Sequence, residues 1–219
     1  MTQINITEIF QRYEEPHRFY HNKDHILRML SDFKSNLHSG NFVKDIFMKE
    51  QKLLIEAILY HDIIYDVMPN MHRTNEEKSA QFYELHKHGE DYIWALTSDS
   101  FFVSNLILAT QYHFLVENPI MEKMENEDQK FACQVLLDLD LLSFADPYEK
   151  FLRTNENIEK EWKTQFSQEA IDKVRKKFIG QLVNRPELVP FKSFKNGKEL
   201  SEKAIKNINR YYQERFKNV

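Results

Sequence analysis

Apolar residues recur along this chain at helical spacing. Ile26, Met29, Leu30, Phe33 and Leu37 mark one face of a helix that starts near Asn22 or Lys23 and closes at Gly40. A first, shorter helix is predicted from Thr7 as N-cap to Tyr13, with Pro16 beyond it. Ile46, Phe47, Leu53, Leu54, Ala57 and Ile58 predict a third over Val43 to Ile64, with Pro69 in the following loop. Thr74 and Glu77 form a capping-box pattern that opens a helix ending at His88-Gly89. Further helices are predicted for Phe101 to His113, Glu127 to Phe144, Tyr148 to Lys163, Gln168 to Asn184 and Gly197 to Phe216. Asp146 and Pro147 supply N-cap and N1 for the helix at Tyr148. No segment alternates as a strand does. The fold expected is all-α, one domain over residues 1–219, with a core at about 17–145 and C-terminal helices at about 146–219 packed on it.

Two of these stripes carry charge where the core should be. Leu54, Ala57, Ile58, His61 and Asp62 follow the i, i+3, i+4, i+7, i+8 pattern of a single face. Cys133, Leu136, Leu137, Asp140, Leu141 and Phe144 form another, broken by Asp140, with Asp138 a rival for the inward position. His25 sits one turn before Met29, at the edge of its stripe. A buried carboxylate is costly unless it is paired or holds a metal. Taken singly, His25 reads as a core histidine, His61-Asp62 as a helix C-cap and Asp140 as half of an ion pair. Taken together, they place two imidazoles and two carboxylates in one interior, a donor set suited to a divalent transition metal.

Composition narrows the setting. Four glycines and six prolines in 219 residues favour helices joined by short loops. A net charge of −4 lacks the basic stripe expected of a duplex nucleic-acid binder, and the lysines between Lys192 and Lys217 read as a solvated face. The single cysteine, Cys133, fits a reducing cytoplasm. The first sixteen residues lack the apolar core of a signal peptide, and no apolar run approaches the ~18 residues of a membrane span. Seventeen phenylalanines and ten tyrosines suffice either to fill one core or to cover a homodimer face.

The ordered set His25, His61-Asp62 and Asp140 resembles the H…HD…D signature of the HD superfamily of metal-dependent phosphohydrolases. The wider context is similar to one bacterial branch of it: Glu15-Pro16-His17-Arg18-Phe19-Tyr20-His21-Asn22, Tyr60-His61-Asp62-Ile63-Ile64-Tyr65-Asp66, Asn75-Glu76-Glu77-Lys78-Ser79-Ala80, Ala109-Thr110 with His113, and Leu137 to Leu141. The resemblance spans roughly residues 7–215. It implies an HD-type helical bundle with His25, His61, Asp62 and Asp140 holding a divalent ion such as Mn²⁺, Fe²⁺, Co²⁺, Ni²⁺ or Mg²⁺. His61 to Asp66 also resembles the HD segment of guanosine tetraphosphate hydrolases, but Tyr65 stands where those carry a glutamate.

The activity implied is hydrolysis of a phosphate ester or anhydride of a small molecule, with a nucleotide as default substrate. If the third helix continues, Asp66 shares a face with Asp62 and can orient water or accept its proton. Glu77 and His113 are further catalytic candidates, although Glu77 already has a capping role. Arg18, whose planar fork matches phosphate oxygens, is expected to bind substrate together with His21 and Lys78. Phe19, Tyr20, Tyr65 and Tyr112 can stack a base or simply fill the core. The rival readings are a di-iron oxygenase that uses His21 and His113 as extra ligands, a non-catalytic module binding metal or nucleotide, and a helical interaction protein without metal.

Overall fold

The computed structural model describes residues 6–68, 72–89 and 97–217, so the expected loop residue Pro69 lies outside the described residues. Among the described residues the chain forms nine α-helices and no strand. They are α1 (Ile6–Arg12), α2 (Lys23–His38), α3 (Met48–Tyr60), α4 (Asn75–His88), α5 (Ser98–Ala109), α6 (Glu127–Asp140), α7 (Tyr148–Trp162), α8 (Gln168–Asn184) and α9 (Gly197–Tyr212). None of them is long and apolar enough to cross a membrane.

The starts are set by side-chain caps. Asn22 accepts from the Asp24 and His25 amides at the head of α2, and Asn126 does the same for α6. Thr74 and Glu77 form the expected capping box, and Thr97 with Ser100 forms a second one, so α5 begins at Ser98 rather than Phe101.

The third helix is shorter at both ends than its apolar pattern implies. Residues before Met48 are drawn away by tertiary pairing: the Val43 amide donates to the Ser193 carbonyl at 2.9 Å, and Phe42 forms a lone antiparallel bridge with Phe194. At the other end α3 stops at Tyr60, and the Ile63 amide turns back to the Tyr60 carbonyl. His61 keeps helical dihedrals as C-cap, so it stays on the stripe that the sequence marks.

Helix α3 lies at the centre, packed against α2, α5 and α6. Leu54, Ala57, Ile58, Ile26, Leu106 and Leu136 have no solvent exposure there. The C-terminal helices lock the end of α6. A tight turn, Leu141–Ala145, follows Asp140 and packs on α9, where Asn207 donates to the carbonyls of Phe144 and Asp146 at 2.9 and 2.8 Å. Arg28 of α2 grips the Asp146 carboxylate with both terminal nitrogens, at 2.6 and 2.7 Å. Position 197 must be glycine, because a Cβ there would collide with the Phe191 carbonyl oxygen.

A buried histidine and aspartate cluster as candidate metal centre

Each residue of the cluster is delivered by the end of a helix. His25 lies in the first turn of α2, behind the Asn22 cap; His61 and Asp62 follow α3; Asp140 is the last residue of α6. One ligand atom each from His25, His61 and Asp140 lie within 4.8 Å of one another, a group able to hold a metal ion. His25 Nε2 is 3.1 Å from Asp140 Oδ1 and 3.8 Å from Asp62 Oδ2. His61 Nε2 is 3.1 Å from Asp62 Oδ2 and 3.8 Å from Asp140 Oδ1. Asp62 thus reaches both imidazoles.

The orientation of the rings favours a cation. His61 Nδ1 lies 3.0 Å from the Ile58 carbonyl, which can only accept, so the proton of the neutral ring sits on Nδ1 and Nε2 carries the lone pair. Both Nε2 atoms are buried and neither forms a hydrogen bond. Buried polar atoms are rarely left so. Two unpartnered nitrogens beside two carboxylates are the donor set a divalent ion would satisfy.

The electrostatics agree. Burial alone would lower the His61 imidazolium, but the Asp62 charge reverses this and holds its pKa up to about 9. Burial would raise both carboxyls; instead His61 and His21 hold Asp62 down, and contacts from His113 and His25 hold Asp140 well below the usual carboxylate range. Imidazole and carboxylate thus hold each other's charge, and a bound cation would take the place of the His61 proton.

His113 joins the cluster from its edge, with Nε2 2.7 Å from Asp140 Oδ2 and its buried Nδ1 unpartnered. It follows the Thr110–Tyr112 turn at the end of α5. Asp138, the rival for Asp140, has other work. Its Oδ2 accepts from the Ser193 amide and hydroxyl, both at 2.7 Å, and Gln134 donates to Oδ1.

Four expected roles take a different form. Arg18 is buried and its guanidinium is occupied: it donates to Glu15 at 2.8 Å and to the carbonyls of His21, Asp62 and Ile63 at 3.0, 2.7 and 2.9 Å. It positions the loops that bear His21 and Asp62, and has no free fork for phosphate. Asp66 does not share a helical face with Asp62, because α3 has already ended; it is exposed and binds Lys78 at 2.5 Å. That ion pair also engages the Lys78 ammonium. Glu77 is an exposed capping residue, accepting from the Thr74 amide at 2.9 Å.

One residue went unforeseen. Glu161 of α7 is fully buried and binds the loop before α2. Its Oε1 accepts the amides of Phe19, Tyr20 and His21 at 2.8, 2.7 and 2.9 Å, and its Oε2 lies 2.7 Å from His21 Nδ1. Burial opposes its charge, but the His21 contact and these amides prevail and keep Glu161 below its ordinary pKa. The His21 ring stacks on Tyr65 with centroids 4.0 Å apart. The signal was present: Ile158, Glu161 and Trp162 stand at i, i+3 and i+4, the same kind of interruption that exposes Asp140.

A cavity of about 420 Å³ opens beside the cluster, with His21, His113 and Asp140 in its wall. A smaller one of about 170 Å³ reaches His25 and Asp140 past Asp24 and Arg28. The fold and this centre define an all-helical protein with a group of side chains that could hold a metal ion. No protein-family model matches the chain, and no protein of curated function matches it significantly in sequence.

Proposed function

We propose that this protein is a metal-dependent phosphohydrolase of the HD type, cleaving a phosphate ester or anhydride of a small molecule. The observation that carries the reading is the pair of buried, unpartnered Nε2 atoms of His25 and His61 facing Asp62 and Asp140 at the side of a cavity. His25, His61, Asp62 and Asp140 would hold the ion. When bound, a divalent cation supplies the Lewis acidity that turns a water into a nucleophile at neutral pH and offsets phosphoryl charge. The chain's own residues set the geometry. Ile58 fixes the His61 tautomer, Arg18 fixes the backbone at Asp62, and Glu161 fixes His21 at the cavity wall. His113, bound to Asp140, stands where it can orient that carboxylate or meet a phosphoryl oxygen.

The test is a panel of phosphoesters and nucleotides assayed with Mn²⁺, Co²⁺, Ni²⁺ and Mg²⁺. The reading expects metal-dependent phosphate release that His61→Ala and Asp62→Ala abolish. An active Asp62→Ala variant would remove its basis. A di-iron oxygenase is the second reading, favoured by the unpartnered Nδ1 of His113 at the edge of the cluster. Dioxygen consumption by iron-loaded protein, without phosphate release, would select it.

A further inference from the structure

The cavity beside the cluster is walled by rings. Tyr65, Phe114, Phe144, Trp162 and Phe178 line it, drawn from the loop after α3, the segments after α5 and α6, and helices α7 and α8. At about 420 Å³ it falls in the size range of small-molecule sites. Among the described residues, one guanidinium and no ammonium lines it, that of Arg175 on α8. Arg175 is buried and donates through one terminal nitrogen to Asn155 Oδ1, while its Nε has no hydrogen-bond acceptor. The Glu159 carboxylate stands 3.6 Å from that nitrogen, beyond hydrogen-bond reach.

A polyphosphate fits this lining poorly. Each phosphate beyond the one at the cluster needs a cation, and the nearby cations are committed. Arg18 is held by carbonyls and Glu15, Arg28 by Asp146 and Asp32, and Lys78 by Asp66. A flat apolar body fits well, since ring faces and edges are what the walls offer. Arg175 is held by Asn155 and stands in ion-pair range of Glu159, so this wall asks for no charge on that body.

We infer that the substrate carries a flat, ring-bearing apolar body, seated in the cavity between α7 and α8. The reacting group would lie at Asp140 and His113, so the inference rests on the hydrolase reading for its orientation but not for the cavity itself.

Isothermal titration of the full chain with Mn²⁺ tests it, using methylphosphonate, 2-naphthylphosphonate and adenosine monophosphate. The naphthyl probe should bind at least about tenfold tighter than the methyl probe and tighter than adenosine monophosphate. Val174→Trp, at an exposed position on the rim, should remove the naphthyl advantage and leave methylphosphonate binding unchanged. Equal affinity for methyl and naphthyl probes, or tighter binding of adenosine monophosphate than of the naphthyl probe, would overturn the inference. 2-Naphthol titrated into metal-free protein separates the two claims. If it binds while phosphonate affinity ignores Mn²⁺, the cavity assignment stands and the hydrolase reading falls; if it does not bind, the cavity assignment falls.

Discussion

Glu161 Oε2 lies 2.7 Å from His21 Nδ1, which joins α7 to a loop 140 residues earlier in the chain. The same carboxylate gathers three consecutive amides, so the loop that leads into His25 is held by one buried charge. Glu161→Gln keeps an acceptor for the amides but turns a donor toward His21. The expected cost is about 1–3 kcal/mol of stability, as for a buried hydrogen-bond network deprived of its charge. Turnover should fall about 10- to 100-fold with metal retained, as for residues that orient a metal site from behind. Chemical denaturation, metal analysis and kinetics of one variant check all three.

The two aspartates of α6 should separate cleanly. Asp138 is saturated by Ser193 and Gln134, whereas Asp140 faces His25 and His113. Asp138→Ala should destabilise the fold by about 2–3 kcal/mol, because it strands buried donors, and leave metal binding in place. Asp140→Ala should weaken metal binding at least about 100-fold with a smaller loss of fold stability. A thermal melt and a metal titration on each variant give the comparison.

The pH dependence of the metal-free protein has a defined sign. The His61 pKa is raised from 6.5 to about 9 on folding. Its contribution is therefore complete below about pH 6.5 and is lost as pH rises through about 9. The loss is on the order of 3 kcal/mol. Denaturant midpoints of chelator-treated protein should fall across that interval, and His61→Gln should flatten the fall.

Metal binding should run the other way. A bound ion needs His61 neutral, so it displaces a proton below about pH 9. Apparent affinity should rise up to tenfold per pH unit between about 7 and 9, with release of about one proton per ion. Titration in buffers of different ionisation enthalpy measures that proton directly.

The helices were legible in the sequence because their apolar faces repeat at 3.6 residues and their caps are local, as at Asn22, Thr74 and Asn126. The metal-ligand candidates were legible because His61 and Asp140 interrupt apolar stripes. The end of α3 was not. The pattern runs on to Ile64, yet a turn at His61-Asp62 preserves the inward face without continuing the helix, and this removed the proposed pairing of Asp62 with Asp66. The partners of Arg18 were hidden for a related reason: it sits in a loop with no period, and two of the groups it binds are carbonyls about 45 residues away. Glu161 looked like one more charge in a charged helix, and only its spacing from Ile158 and Trp162 set it apart.

Metal stoichiometry of the native chain, dialysed against Mn²⁺ or Co²⁺ and counted by elemental analysis, tests the centre most directly. The His25, His61, Asp62 and Asp140 cluster predicts at least one tightly held ion per chain, lost in Asp140→Ala and in His61→Ala. A native protein that retains no ion, or an Asp140→Ala variant that retains as much as the native chain, would contradict it.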